Sequence, residues 1–520
     1  MPDNSLSNKR IAKNSIFLSI RMVIVLGISL YTTRIVLRVL GVVDFGVYNV
    51  VCGFVTMFSF LNTSMSNGIQ RFFNYEYGRN GEEGANRVFC TSLYIQAFLA
   101  LAVVIIIEVF GLWYLHNKMV IPMERQVAAE WIFQFAVISF VLGIMQAPFS
   151  AAVTAHEQFN FYALVGILDA VLKLVIVLIL DILPLDNLVL YGLFLSLVNL
   201  IDFLLFVIYS INNFAEIKFQ FKCDRELFNG MLGFSGWNLL GSFSGVMKEQ
   251  GINLVLNAFF GPVVNAARGV ASQINSGIQG FVGNILTPVR PQVVQSYARG
   301  DVLRSLYLTY SISKLSSCFF LMMAIPAALE ISYLLKIWLG DNIPDYTATF
   351  TIIILATSLI YILNGAISTV VHATGIMKEY QLYGSLIGVA SVPIAYFLLK
   401  IFEMPEIALV AVLICASLSH IIGLFIVRKI AGLSLRDYLR EVIIPISVVL
   451  LSTLILTIPI HLFLHSGLIR FICVVLCSIF GILTSLYFFA LKNSERLFVN
   501  SILKSFVSRL KSLIKHRNIC

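Results

Sequence analysis

Long apolar segments recur along the chain and predict its architecture. Fourteen of them come close to or exceed the roughly 20 residues that a helix needs to cross a bilayer. In chain order, spans 1 to 14 cover residues 15–39, 46–66, 88–114, 128–153, 160–181, 187–210, 229–256, 263–287, 306–335, 347–371, 380–401, 406–427, 442–465 and 468–491. A barrel strand would need only about ten residues of alternating polarity. The pattern therefore predicts an all-α polytopic membrane protein with about 14 transmembrane helices.

Span 8 carries a polar stripe between Asn265 and Gln279. At about 100° per residue, the polar side chains of the stripe fall within roughly a third of the helix circumference. They are Asn265, Arg268, Ser272, Asn275, Ser276 and Gln279. A guanidinium at membrane depth is costly unless it faces water, a partner or an anion. The stripe therefore predicts a polar cavity in a membrane protein, and a cargo that is polar and negatively charged.

Two other spans carry polar faces of the same kind. In span 7 the face consists of Ser235, Asn238, Ser242, Glu249 and Asn253. In span 2 it consists of Asn49, Cys52, Thr56, Ser59 and Thr63. Small polar residues also mediate helix packing in membranes, and for span 2 that explanation is as good as a cavity. The Asn, Gln, Glu and Arg side chains of spans 7 and 8 favour a cavity.

Composition and charge agree with this interpretation. The chain is 59% hydrophobic and 12% charged, with a mean hydropathy of +0.90, outside the range of soluble domains. Lys and Arg residues concentrate in the loops of one side, which predicts that both termini are cytoplasmic. This bias explains the net charge of +9, so nucleic-acid binding is not needed to account for it. The tail over 492–520 is predicted to be a basic amphipathic helix on the anionic inner leaflet.

A repeat suggests how the spans are grouped. Residues 150–168 align without gaps with 368–386, with seven identical positions, and the aligned segment includes a polar turn. Chance similarity between apolar segments is the alternative. The copies are offset by six spans, so the two halves share one orientation. We predict an N-lobe over 1–214 (spans 1–6), a C-lobe over 215–430 (spans 7–12), spans 13 and 14 over 431–491, and the tail over 492–520.

Cationic side chains at membrane depth are the main candidates for binding a cargo. They are Arg21, Arg34, Lys248, Arg268 and Lys314. Cations on the early helices of each lobe imply an anion between the lobes, and a guanidinium fork suits phosphate or diphosphate oxygens. Arg38 lies nearer the outer interface, where snorkelling would explain it. The amides expected in the same cavity are Asn238, Asn265, Asn275 and Gln279.

Two carboxylates are candidates for coupling transport to a proton or another cation such as Na⁺. Glu249 lies on the polar face of span 7 beside Lys248, and a role as a counterion is the alternative. Asp169 is four residues from Lys173, a spacing that favours a structural ion pair over a role in transport.

The sequence contains no recognisable catalytic arrangement. No loop is large enough to build a folded active site, and GxSxG, Walker and HExxH patterns are missing. The seven His residues are dispersed, and the eight Cys residues lack metal-ligand spacing. We therefore predict a protein that is not an enzyme and that uses neither a cofactor nor a metal.

Three segments carry a family resemblance. They are Arg38–Tyr48 (RVLGVVDFGVY), Gly68–Arg71 (GIQR) and Phe260–Ala271 (FGPVVNAARGVA). On these segments the chain resembles polysaccharide (O-antigen or capsule) flippases of the multidrug/oligosaccharidyl-lipid/polysaccharide exporter superfamily. The likeness extends over essentially the whole chain.

The resemblance implies two six-helix lobes around a central cavity in a bacterial inner membrane. It implies a cargo of undecaprenyl-diphosphate-linked oligosaccharide, moved to the periplasmic leaflet by alternating access, and an association with polysaccharide polymerase machinery. Arg21, Arg34 and Arg268 would face the diphosphate or acidic sugars. The Asn and Gln residues of spans 7 and 8 would bind sugar hydroxyls.

Other functions stay open at this point. A cation-coupled multidrug exporter of the same superfamily is the first alternative, although span 1 carries arginines and no acid where that branch typically has a carboxylate. A membrane glycosyltransferase or glycan polymerase would also handle lipid-linked sugar, but it needs a sizeable catalytic loop. A receptor or scaffold without transport is a more distant alternative.

Overall fold

The computed structural model describes residues 4–156, 158–180, 182–220, 224–286, 290–491 and 496, with the backbone alone at some helical positions. The side chain of Asn238 is outside this description. The tail predicted over 492–520 is also outside it, apart from Arg496.

The described residues form helices joined by short connections, and they include no strand. The helices are α1 (Asn4–Thr56), α2 (Ser59–Ile106), α3 (Leu112–Asn117), α4 (Gln126–Ala155), α5 (Phe159–Leu180), α6 (Asn187–Asn213), α7 (Arg225–Phe260), α8 (Pro262–Leu286), α9 (Arg290–Ala298), α10 (Val302–Leu329), α11 (Ile331–Leu339), α12 (Thr347–Thr374), α13 (Lys378–Phe402), α14 (Glu406–Ala431), α15 (Leu435–Tyr438), α16 (Ile444–Phe463) and α17 (Leu468–Ser485). A π-helical turn joins α2 to α3, another joins α15 to α16, and a third extends α17.

Glycines in left-handed conformations divide the longest helices. Gly41 (φ 77°) lies within α1, Gly81 (φ 60°) lies within α2, and Gly261 (φ 75°) separates α7 from α8. Positive φ is readily adopted by glycine and disfavoured by residues with a Cβ. The ψ angles of Gly41 and Gly261 are also similar, at 172° and −171°. The backbone therefore turns in the same way between spans 1 and 2 as between spans 7 and 8.

The helix count agrees with the predicted spans. Eleven helices within the described residues are long and apolar enough to cross a membrane. One of them, Ser59–Asn117, includes the turn at Gly81 and so contributes to two spans. The helices α7 and α8, which carry the predicted polar stripes, are not among the eleven. With these two helices and the division at Gly81, the chain has about 14 spans, and the predicted all-α polytopic fold is confirmed.

The chain divides into two compact units. The first comprises Met1–Gly280, Leu334–Ile360 and Met377–Gly423, and the second comprises Phe281–Tyr333, Tyr361–Ile376 and Leu424–Cys520. The lobe boundaries drawn from the repeat stay a prediction.

Two apolar clusters stabilise the first unit. One joins α2, α4, α5, α6 and α7 through large buried side chains such as Phe73 and Phe149. The other joins α7 and α8 to α12, α13 and α14, and it includes the fully buried Ala267, Ala395 and Ala408. Small residues at such contacts let helix backbones approach closely, which favours helix association in a membrane.

A buried ion cluster marks the second unit. The Glu330 carboxylate is fully buried and accepts hydrogen bonds from Arg470 Nη2 and Nε at 2.8 and 3.1 Å. His461 Nδ1 lies 2.8 Å from the other carboxylate oxygen. Through these contacts Glu330, which follows α10, is joined to both α16 and α17. Glu330 is therefore compensated within the protein, which a buried carboxylate requires.

Candidate functional site

The second half of α1 crosses the start of α8 at a glycine. A Cβ built on Gly46 would lie 1.9 Å from the Pro262 carbonyl oxygen, so the two backbones are in contact and no larger residue fits. Beyond this crossing, a Cβ on Gly269 would lie 3.0 Å from Asn49 Oδ1. Asn49, on the polar face of span 2, thus packs directly against α8 near this crossing.

Buried amides join α1, α7 and α8 next to the crossing. Asn265 Nδ2 donates to the carbonyl oxygen and to Oδ1 of Asn253, both at 2.7 Å, and Asn253 Nδ2 donates to the Asn49 carbonyl at 3.3 Å. Asn265 is 0% exposed and Asn253 is 6% exposed. The structure therefore places Asn265 inside a helix contact, where it holds α8 against α7.

A second face of α8 packs against the first half of α1. Gln273 Nε2 donates to Ser29 Oγ at 2.9 Å, and Thr33 Oγ1 donates to Gln273 Oε1 at 2.7 Å. Gly277 and Gly280 follow Gln273 on the same face and accommodate side chains of α1. At about 100° per residue, this face is about 120° away from the centre of the polar stripe. Sequence reasoning missed Gln273, although its spacing from the two glycines was a signal for close packing.

A charged cluster lies where the polar faces of α7 and α8 meet. Glu249 attracts both Lys248 and Arg268, and the two cations repel each other. Lys248 and Arg268 are half-buried, whereas Glu249 is exposed. Arg268 Nε is buried and finds no acceptor among the described residues. The cluster carries two cations and one carboxylate, so it has a net positive charge and a buried donor without an acceptor.

The remaining amides of the stripe differ in their surroundings. Asn275 Oδ1 accepts a hydrogen bond from Ser358 Oγ of α12 at 2.6 Å. Gln279 is half-buried on the same side of α8. Ser276 is exposed and donates to the Ser272 carbonyl within its own helix. The stripe is therefore accessible only in part.

Arg21 lies against α5. Its guanidinium carbon is 5.0 Å from the centre of the Tyr162 ring, and its Nε is buried without an acceptor among the described residues. A Cβ built on Gly166 would lie 2.3 Å from Arg21 Nε, so the guanidinium occupies the space that this glycine leaves open. Tyr162 and Gly166 belong to the repeated segment. The structure thus places Arg21 in a cation–π contact.

Arg34 and Lys314 have backbone acceptors. Arg34 Nη1 donates to the Ile337 carbonyl near the end of α11 at 3.3 Å. Lys314, in the second unit, is 3% exposed and its Nζ donates to the Ala490 carbonyl at 2.6 Å. The cargo-binding roles predicted for both residues stay predictions.

The polar face of span 2 also lines a cavity within the first unit. This cavity of about 310 Å³ is bounded by α1, α2, α4, α5 and α6 and is lined by Cys52, Thr56, Ser59 and Lys173, among others. Asn49 is on the same predicted stripe, but it lies against α8. For span 2, cavity lining and helix packing therefore both occur, at different residues.

Lys173 is compensated by carboxylates. Its Nζ lies 2.7 Å from Asp169 Oδ1, which agrees with the ion pair favoured by the sequence. Asp202 of α6 also interacts electrostatically with both Asp169 and Lys173. The sequence did not reveal the proximity of Asp202, because spacing along one helix says nothing about the neighbouring helix.

Comparisons with known proteins agree on the fold. Neither protein-family models nor curated proteins give a match to this chain. Among solved structures, the lipid II flippase MurJ in an inward closed conformation has a TM-score of 0.68 and 15% sequence identity, covering 90% of this chain and 98% of that chain. An inward-facing multidrug resistance MATE family transporter of the MOP superfamily has a TM-score of 0.60 and 15% identity, covering 79% and 98%.

A third similar structure is a MOP superfamily transporter from Pyrococcus furiosus, described as having a binding pocket of reverse polarity. Its TM-score is 0.54 at 15% identity, and the match covers 81% of this chain and 96% of that chain. Similarity at this level of identity concerns the fold. The chain therefore has the fold that MurJ shares with MATE transporters of the MOP superfamily, as its resemblance to that superfamily predicts.

Proposed function

We propose that this protein is a flippase that moves an undecaprenyl-diphosphate-linked oligosaccharide from the cytoplasmic to the periplasmic leaflet by alternating access. The observation that carries the proposal is the charged cluster of Lys248, Glu249 and Arg268, which is net positive and contains a buried Arg268 donor without an acceptor among the described residues. Such a group at membrane depth is stabilised when an anion occupies the neighbouring space. A diphosphate offers several oxygens to a guanidinium fork.

The shared fold supports this class of cargo. MurJ is named as a lipid II flippase, and it has the same fold over 90% of this chain. The Pyrococcus furiosus transporter indicates that pocket polarity varies within the superfamily. A net positive cluster suits a lipid-linked anion better than a cationic drug. We place the protein in a bacterial inner membrane with cytoplasmic termini, in association with a polysaccharide polymerase.

A cation-coupled multidrug exporter is the second candidate, and one observation favours it. Asp202 interacts electrostatically with both Asp169 and Lys173, and Lys173, the partner of Asp169, lines a cavity within the first unit. Glu249 is the other candidate for coupling to a proton or Na⁺. A drug-resistance assay in a host lacking its own pumps separates the two functions, because only an exporter protects that host.

The flippase proposal is tested by deleting the gene in its host and measuring surface polysaccharide. We expect the deletion to remove surface glycan and to cause lipid-linked oligosaccharide to accumulate in the inner leaflet. The wild-type gene should restore export, and R268A should not, at equal protein levels in the membrane. R79A, which removes an exposed arginine of α2, is the matched control and should restore export. Normal surface glycan in the deletion strain would refute the proposal.

A further inference from the structure

A second cavity in the first unit lies at the end of the first half of α1. It has a volume of about 530 Å³ and is lined by Tyr31, Arg34, Ile35 and Arg38 of α1 and by residues 339–342. The four α1 residues are spaced so that they share one helix face. Arg38, which the sequence places near the outer interface, shares this cavity with Arg34. On the proposed topology, this cavity lies at the periplasmic side.

Residues 339–342 form the wall of the cavity opposite α1, and hydrogen bonds between α11 and α1 hold this wall in place. Trp338 Nε1 donates to the Leu30 carbonyl at 2.6 Å, and Arg34 donates to the Ile337 carbonyl at 3.3 Å. Gly340 (φ 70°) ends α11 in a left-handed conformation, with its amide donating to the Lys336 carbonyl at 3.0 Å. This is a common way to end a helix. The turn brings Asp341 and Asn342 to the cavity across from the arginines.

The lining combines groups that together suit a charged sugar. Two guanidinium groups offer charge-assisted hydrogen bonds to an oxyanion, and the hydrogen bond of Arg34 to Ile337 uses only one of its five N–H donors. Tyr31 is 53% exposed and offers an aromatic face and a hydroxyl. Asp341 and Asn342 are exposed and can bind sugar hydroxyls. The two arginines outweigh the single carboxylate, so the lining has a net positive charge.

We propose that this cavity binds the oxyanion of the glycan cargo as the cargo leaves the protein on the periplasmic side. The inference rests on the proposed flippase function and adds a site separate from the charged cluster of α7 and α8. The oxyanion has two chemical sources, the diphosphate of the lipid carrier and the carboxylate of an acidic sugar. Both present negatively charged oxygens to Arg34 and Arg38.

Trp338 provides a reporter for binding, because its indole is bonded to α1 beside the cavity. The full chain is purified in detergent with Trp113, Trp131 and Trp237 each replaced by Phe, so that fluorescence comes from Trp338. Inorganic diphosphate, glucuronate and glucose are titrated separately. We expect saturable fluorescence changes with diphosphate, with glucuronate or with both, and none with glucose. A response to diphosphate alone assigns the site to the carrier, and a response to glucuronate alone assigns it to an acidic sugar.

Charge-removing variants connect the signal to the cavity. R34Q and R38Q are each expected to weaken anion binding about tenfold, because each removes charge-assisted hydrogen bonds. The matched control is K336Q, which removes a positive charge from an exposed position of α11 outside the lining. It should bind the anions as the unsubstituted chain does. Three results would overturn the proposal: a response to glucose as large as the response to an anion, no response to diphosphate and none to glucuronate, or full binding in the double variant R34Q/R38Q.

This experiment can fail independently of the flippase proposal. The binding assay requires no export, and the export assay concerns the gene deletion and Arg268. Lost surface glycan in the deletion strain, together with no anion binding beside Trp338, would leave the flippase function in place and exclude this site. Anion binding in a protein whose deletion leaves surface glycan unchanged would refute the flippase function instead.

Discussion

Two polar regions of the first unit differ in how their charges are balanced. In the cavity bounded by α1, α2, α4, α5 and α6, Lys173 pairs with Asp169 and is also attracted to Asp202. At α7 and α8, Lys248 and Arg268 share one exposed carboxylate, and a buried Arg268 nitrogen lacks an acceptor among the described residues. Both regions hold charged side chains at membrane depth, so they look alike in sequence.

The difference indicates different roles. A cation held by neighbouring carboxylates is already stabilised, so removing it should mainly affect stability. A cation with an unsatisfied donor gains most from an external anion, so removing it should mainly affect binding. Substitutions in the two regions should therefore have opposite effects on transport and stability.

The largest expected effect is on transport in R268Q. We expect the rate of lipid-linked oligosaccharide flipping in proteoliposomes to fall about a hundredfold, because charge-assisted bonds to the diphosphate are lost. The thermal unfolding midpoint of the purified protein should change by less than about 2 °C. A large fall in this midpoint that accompanies the loss of flipping would instead assign Arg268 a structural role.

The next effect is on stability, within the polar stripe itself. N265A removes two hydrogen bonds to Asn253 at a fully buried position, and we expect a loss of about 2 kcal/mol in the free energy of unfolding. The comparison variant is S276A, at an exposed stripe position, which should be close to neutral. Thermal unfolding of both proteins checks this difference. Equal stability of the two variants would contradict the division of the stripe into packed and accessible parts.

K173M tests the balanced region. Removing the ammonium leaves Asp169 and Asp202 without their cation. We expect the free energy of unfolding to fall by only about 1–2 kcal/mol, because the Lys173–Asp169 pair is partly exposed. The double variant D169N/K173M should recover part of this loss. Oligosaccharide flipping should fall less in K173M than in R268Q. A K173M protein with unchanged stability and no flipping would reverse the proposed roles of the two regions.

The smallest effect is expected at two matched glycines of the repeat. A Cβ on Gly166 would lie 2.3 Å from Arg21 Nε, whereas a Cβ on Gly384 would meet only Ser419 Oγ, at 3.8 Å. Because the end of the arginine side chain can shift, we expect G166A to lower the free energy of unfolding by about 1 kcal/mol. G384A should lower it by less. Thermal unfolding compares them. A larger loss in G384A would show that Arg21 does not require the space left by Gly166.

The fold was predictable because helix formation and membrane insertion depend on local sequence. Each span is an apolar segment of sufficient length, and the backbone hydrogen bonds of a helix are made within the segment itself. The turns at Gly41 and Gly261 fall at the junctions between predicted spans. The extent of individual helices was harder to predict, since predicted span 2 (46–66) is interrupted between the end of α1 at Thr56 and the start of α2 at Ser59.

The site was predictable only as a set of helix faces. Helical periodicity placed Asn265, Arg268 and Asn275 on one stripe, and the structure keeps all three on α8. Helical periodicity could not reveal that Asn265 donates a hydrogen bond to Asn253 or that Ser358 donates one to Asn275. These partners are set by neighbouring helices, and some lie far away in the chain. The same reason explains why the sequence could not reveal the cavity beside Arg38, because residues 339–342 complete it.

By itself, the sequence determined a polytopic helical membrane protein with polar faces on spans 2, 7 and 8, because hydrophobicity and helical period are properties of short segments. Only the tertiary structure decided which polar groups are satisfied within the protein. It placed Lys173 among carboxylates and Asn265 in a helix contact, and it left Arg268 Nε without an acceptor among the described residues. The physical reason is that the cost of a buried polar group depends on its neighbours in space, which adjacent positions in the chain do not specify.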